Sequence, residues 1–131
     1  MLCFGHNTHS QSDAPQTAGR NYTAVFAGGH HSCAIYDDGE LDCWGRNFAG
    51  QTAVPPGHKW AEAALASHHT CGLTLGSADA NYTDGGAILC FGNSFYGQAD
   101  APAGASYVRV GAADRFSCAM EKPTYDGTRL G

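Results

Sequence analysis

Apolar and polar residues alternate along this chain in runs of five or six, broken by glycine, aspartate and proline, and that period of two predicts strands rather than helices. The clearest stretch is Ser32-Cys33-Ala34-Ile35-Tyr36, then Asp37-Asp38-Gly39, then Glu40-Leu41-Asp42-Cys43-Trp44. It reads as a hairpin with an Asp-Gly turn. A three-residue loop with Gly39 in the left-handed region sets Tyr36 against Glu40. Counting back in that register brings Cys33 opposite Cys43. Opposed strand residues have β-carbons roughly 4.5–5.5 Å apart, a little wide of the ~3.5–4.5 Å of a disulfide, so the closer non-hydrogen-bonded pairing is required.

The same wording occurs three times. Cys43-Trp44-Gly45-Arg46-Asn47 leads through Gly50-Gln51 and Pro55 to Trp60 and His68-His69-Thr70-Cys71. Cys90-Phe91-Gly92-Asn93 leads through Gly97-Gln98 and Pro102 to Tyr107 and Phe116-Ser117-Cys118. Cys3-Phe4-Gly5-His6-Asn7 leads through Gln11 and Pro15 to Tyr22 and His30-His31-Ser32-Cys33. Glutamine, proline and an aromatic keep fixed distances from the cysteines in every copy, which makes this a repeat array. First cysteines recur at 40 and 47 residues and second cysteines at 38 and 47, the length of one propeller blade. The expected fold is all-β: antiparallel four-stranded blades of a partial propeller, one domain over 1–131 with units near 1–40, 41–87 and 88–131. Trp44, Phe4 and Phe91 share one repeat position and Tyr22, Trp60 and Tyr107 another. Both are expected in the core between blades. Ile35, Leu73 and Met120 form a third apolar register, and Val25, Ala63 and Val110 a fourth.

These residues resemble the repeats of the regulator of chromosome condensation family, on Val25–Trp44 with Gly45, Asn47, Gly50-Gln51 and Pro55. A WD repeat fits worse, because Trp44 is followed by Gly45 and not by aspartate. The resemblance implies a seven-bladed propeller in the parent architecture. The paired cysteines and the Gly-Gln…Pro wording look like its secreted branch, which includes plant Crinkly-type receptor kinase ectodomains and bacterial and algal surface proteins. The nuclear exchange-factor branch does not use this cysteine pattern.

Six cysteines at hairpin spacing point to an oxidising compartment. Disulfides are expected at Cys33–Cys43 and Cys71–Cys90, with Cys3 and Cys118 left as unpaired or inter-chain half-cystines. No Cys-x-x-Cys pair accompanies the histidines, and Arg115-Phe116 replaces them in the last copy, so neither metal nor another cofactor is expected. No nucleophile recurs beside the histidine pairs at triad spacing. A structural role, with one imidazole inward and bonded to nearby backbone, is the better reading. Catalytic residues are therefore not assigned. Two Asn-x-Thr sequons, at Asn21 and Asn81, are glycosylation candidates, Asn81 on the inserted hairpin tip Ser77–Gly86.

Composition narrows the class further. The formal charge of −5, with no lysine or arginine run, excludes a phosphate-neutralising footprint for nucleic acid. No run approaches the ~18 apolar residues that span a membrane as a helix. The expected function is a non-enzymatic, extracellular or cell-surface module that binds a protein or glycan. Specificity would lie in the stretches that break the repeat: His6–Arg20, Ser77–Gly86 and Glu121–Thr128. Competing readings are a subunit of an extracellular filament or coat, an intracellular nucleotide-exchange propeller, and a hydrolase using histidine or a metal. Leu2–Gly5 and Ser117–Met120 read as complementary halves of a hairpin. Open strand edges at both places are expected to join adjoining repeats or other copies of the chain.

Overall fold

A computed structural model of the protein describes residues 2–15, 19–75, 86–94, 97–104 and 107–121. Its strands are β1 (Tyr22–Ala27), β2 (His31–Tyr36), β3 (Leu41–Gly45), β4 (Trp60–Leu65), β5 (His69–Thr74), β6 (Ile88–Gly92), β7 (Tyr107–Ala113) and β8 (Phe116–Glu121). They form antiparallel sheets in the orders β1-β2-β3, β4-β5-β6 and β7-β8, with no helix among the described residues. Each sheet begins at an aromatic followed by a register shift, at Tyr22/Ala24, Trp60/Glu62 and Tyr107/Arg109. A bulge at that place bends the strand and re-aims the ring.

The hairpin that the sequence predicts is present. Gly39 has φ +86° and donates its N–H to the Tyr36 carbonyl at 2.9 Å, closing the turn. The Tyr36 N–H donates to the Glu40 carbonyl and the Arg46 N–H to the His30 carbonyl, each at 2.9 Å. Bonded and non-bonded pairs alternate between those two, so Cys33 and Cys43 fall on the closer, non-hydrogen-bonded kind of pair. Their α-carbons are 4.1 Å apart. In the second sheet, Thr74 N–H to Ala87 carbonyl and Asn93 N–H to His68 carbonyl put Cys71 and Cys90 in the same parity, with α-carbons 4.0 Å apart.

The core lies between sheets. Cys33, Ile35 and Leu41 of the first sheet meet Trp60, Ala63 and Phe91 of the second. Cys71, Leu73 and Ile88 on the far side of the second sheet meet Tyr107 and Val110 of the third. A middle strand is therefore covered on both faces, and β2 and β5 are buried at every residue. Each hairpin tip also holds the next sheet by its backbone: the Gly39 carbonyl accepts from Trp60 N–H at 2.8 Å and the Gly86 carbonyl from Tyr107 N–H at 3.0 Å. These are propeller blades side by side, and among the described residues they do not close a ring.

Several sequence expectations require correction. The complete sheets have three strands among the described residues, where four were expected. The connection after β3 cannot extend into a ladder because its backbone is spent on turns. Gly50 N–H bonds the Asn47 carbonyl at 3.2 Å, Ala53 N–H the Gly50 carbonyl at 3.1 Å, and Thr52 N–H the Asn47 Oδ1 at 2.9 Å. Pro55 and Pro56 follow, and neither can donate to a ladder. Among the aromatics, Trp60, Tyr107 and Phe91 are buried, but Trp44 and Tyr22 are only half-buried and Phe4 is 85% exposed. Val25 and Met120 are likewise exposed, at 56% and 59%. Trp44, Tyr22, Val25 and Met120 lie on strand faces against which no further described sheet packs, and Phe4 lies ahead of the first strand, so the repeat position is the same but the second wall is missing.

Candidate interaction surface

The connections between blades are built alike. Gln51 is fully buried, and its Oε1 accepts the Ala49 N–H at 2.9 Å; Gln11 Oε1 accepts the His9 N–H at 2.9 Å. The side-chain amide thus holds its own turn. Its main-chain carbonyl has a second use. Thr70 Oγ1 donates to the Gln51 carbonyl at 2.8 Å, Ser117 Oγ to the Gln98 carbonyl at 2.9 Å and Ser32 Oγ to the Gln11 carbonyl at 2.9 Å.

That hydroxyl reaches the preceding blade as well. His31 Nε2 lies 2.7 Å from Thr70 Oγ1, and His69 Nε2 lies 2.8 Å from Ser117 Oγ. The hydroxyl proton is committed to the glutamine carbonyl, so its oxygen must accept and the imidazole must carry its proton on Nε2. Nδ1 is then the bare lone pair, and in both rings it is buried without a partner. Burial, then the nearby His69, His30 and His68, push the His31 pKa down to about 4. His69 is lowered chiefly by burial, against the pull of Asp114. Neutral imidazoles thus latch each blade to the next. The sequence reading placed one histidine of each pair inward, but toward backbone and not toward a neighbour's hydroxyl. The signal was there: Ser32, Thr70 and Ser117 all stand directly before the second cysteine.

Around these latches lie the candidate site residues. Cys33 is joined to Cys43 and Cys71 to Cys90, with S–S distances of 2.03 and 2.10 Å. Both bridges point into a junction between sheets. Cys3 and Cys118 are free thiols, half-buried and exposed respectively. Asn21 is exposed, just ahead of β1, and its carbonyl accepts the Asp37 N–H at 2.9 Å. Asn81 lies outside the described residues, as do Ser77–Gly86 short of Gly86 and Glu121–Thr128 beyond Glu121. Among the described residues no three side chains of ligand type gather where a metal could sit.

The loop His6–Arg20, described except for 16–18, lies against the first sheet. Trp44 Nε1 donates to the Gln11 carbonyl at 3.0 Å. On the surface beside it, His9 meets His30 edge-on with centroids 5.3 Å apart and Phe48 at 5.8 Å, and the Arg46 guanidinium stands 5.1 Å from the Phe48 ring centre. Phe48 is 81% exposed. A cleft of about 630 Å³ opens between the second and third sheets, where Tyr107, Val110, Ser117 and Cys118 face Cys90 and Pro102. Imidazoles, a guanidinium and an exposed ring thus lie together on loops above a disulfide-tied frame.

Stacked antiparallel blades joined by repeated loops define a β-propeller repeat protein. Residues 22–51 match the model of the Regulator of chromosome condensation (RCC1) repeat. The entire ectodomain of the Physcomitrella patens receptor kinase CR4 is 30% identical to this chain, with a TM-score of 0.68 over 92% of this chain and 30% of that one. The CRINKLY WD40 ectodomain of the Arabidopsis thaliana receptor kinase ACR4 shares the fold at 20% identity and a TM-score of 0.65, over 93% of this chain and 38% of that one. The chain thus carries the regulator of chromosome condensation repeat that its cysteine, glutamine and proline wording resembles, on a fold shared with Crinkly-type ectodomains. It spans well under half the length of either ectodomain.

Proposed function

We propose that this chain is an extracellular or cell-surface interaction module, without catalysis of its own, that recognises a protein or glycan through the loops between its blades. The observation that carries the reading is the pair of cross-strand disulfides set in the junctions between sheets, a construction suited to an oxidising compartment. The similarity to two receptor ectodomains supports it. Peptide mapping of the native protein after alkylation without reduction tests it. Recovery of the 33–43 and 71–90 cross-links is expected. Free thiols at these four positions would return the intracellular exchange-factor reading.

A second role, contact with adjoining repeats or another copy, is favoured by one feature. Gly5 has φ +111°, like Gly45 at +108° and Gly92 at +111°, and the turn after it repeats the later ones: Ser12 N–H bonds Asn7 Oδ1 at 2.8 Å as Thr52 N–H bonds Asn47 Oδ1. Leu2–Gly5 therefore has the exit geometry of a blade's third strand, with Leu2 and Phe4 exposed. It would seat beside β8, with Cys3 near Cys118. Light scattering on the wild type and on Cys118→Ser separates this role from a monomeric state.

A further inference from the structure

One row of side chains is used by neither the latches nor the cores. His6 and His9 on the first loop, His30 at the β1–β2 turn, Arg46 on the next loop and His68 at the β4–β5 turn follow one another across successive connections. Burial first, then His9, Arg46, His6 and His68, hold the His30 pKa below the usual imidazole value. Among the described residues no ion pair reaches any of the five. Two carboxylates beside these connections are already hydrogen-bonded: Asp13 accepts from Asn7 Nδ2 at 2.7 Å, and Asp114 from Ser67 Oγ at 2.7 Å. Arg46 Nε and His30 Nδ1 are buried atoms without partners. Arg46 thus brings a permanent positive charge to a stretch of imidazoles on the surface of a chain of net charge −5.

Phe48 gives that stretch its second property. A ring 81% exposed, with a guanidinium 5.1 Å from its centre and an imidazole edge-on at 5.8 Å, is held by its neighbours yet uncovered. Apolar burial does not explain it. A flat hydrophobic face beside hydrogen-bond donors suits a ring that is apolar on its C–H face and acidic at its edge.

We propose that this row binds a linear polysaccharide carrying carboxylates, a sugar ring stacking on Phe48 while Arg46 and the imidazoles of His9 and His30 take the acid groups. The inference deepens the interaction-module reading and rests on it. Hydrogen-bond donors on successive connections suit a chain of repeated acids better than a single small anion. Bound carboxylate would also relieve the mutual repulsion of the row and favour protonated imidazole, so binding should tighten as pH falls through the histidine range. Arg46, Asp13, Asp114 and Arg115 are charged groups on or beside these connections.

The test is calorimetric titration with an oligogalacturonide, with its carboxyl-reduced neutral counterpart and with polyglutamate as a peptide polyanion. The oligogalacturonide should bind, and about fivefold or more tightly near pH 5.5 than near pH 7.5. The neutral chain should not bind. Arg46→Ala and Phe48→Ala should each weaken binding about tenfold, Phe48→Ala at an unchanged thermal midpoint because that ring is exposed, while Phe48→Tyr should retain it. Absence of oligogalacturonide binding, or binding indifferent to both alanine variants, overturns the site. Equal binding of polyglutamate with no effect of Phe48→Ala overturns the sugar assignment. Capture of a neutral glycan or a protein by the Arg46→Ala chain would remove this site and leave the module reading standing. Free thiols at the four bridged positions would remove the module reading itself.

Discussion

Gly72 sits under the Trp60 ring, and replacing it by alanine tests the blade packing directly. A β-carbon built at Gly72 lies 2.5 Å from Trp60 Cε3 and closer still to Cζ3, against ordinary carbon contacts of about 3.5–4.0 Å. The ring would have to retreat by roughly an ångström, and Trp60, 3% exposed, is wedged between the first and second sheets. Overpacking of this kind costs about 1–3 kcal/mol. The chain carries its own control. Where the second blade pairs Trp60 with Gly72, the first pairs Tyr22 with Ala34 and the third Tyr107 with Ala119 at the same repeat positions. The clashing atoms belong to the six-membered ring of the indole, which tyrosine lacks. Trp60→Tyr should therefore recover much of the loss in a Gly72→Ala background. Urea denaturation of the wild type, both single variants and the double variant gives the coupling energy. An interaction of at least about 1 kcal/mol is expected. A neutral Gly72→Ala, or additive single effects, would refute the proposed seat of Trp60 and with it the packing of blade on blade.

Acid should weaken the fold before its carboxylates titrate. His31 is held neutral down to about 4 but protonates near 6.5 when unfolded, so the unfolded chain binds more protons between those values. Its contribution is complete above about 6.5 and is lost progressively as pH falls toward about 4, with a ceiling of about 3 kcal/mol. His69 acts in the same direction. Denaturation midpoints for wild type and His31→Gln from neutral to acid pH check this, and parallel curves would contradict it. Thr70→Val strands both the His31 Nε2–H and the Gln51 carbonyl in a buried place and should cost about 1–3 kcal/mol, whereas Thr70→Ser should be close to neutral. Trp44→Ala should cost less than the ~3–5 kcal/mol of a fully buried large aromatic, because Trp44 is half-buried and packs on a loop; equal losses for Trp44→Ala and Trp60→Ala by thermal unfolding would place a second wall over it.

Much of the blade could be read from local chemistry. A left-handed glycine in a three-residue turn and a side-chain period of two are enough to oppose Cys33 and Cys43, because register and pair parity propagate residue by residue from Tyr36 and Glu40. The recurrence of glutamine, proline and aromatic was likewise enough to show a repeat array. None of this depends on what lies beyond a sheet. Burial does. Phe91, Trp44 and Phe4 occupy one repeat position, yet Phe91 is buried, Trp44 half-buried and Phe4 exposed, since only Phe91 has another sheet in front of it. Sequence spacing cannot show how many neighbours a face has. The latch from His31 to Thr70 was hidden for a related reason. Those residues are 39 apart in the chain, and only the stacking of two sheets brings an imidazole nitrogen within 2.7 Å of the hydroxyl that its own repeat uses for a different bond. Nor could the row of His6, His9, His30, Arg46, Phe48 and His68 be seen from sequence, because its members come from four separate connections. Strand identity and register are set by neighbouring residues. Which surfaces are core, which are latched and which remain free follows from the stacking of whole sheets.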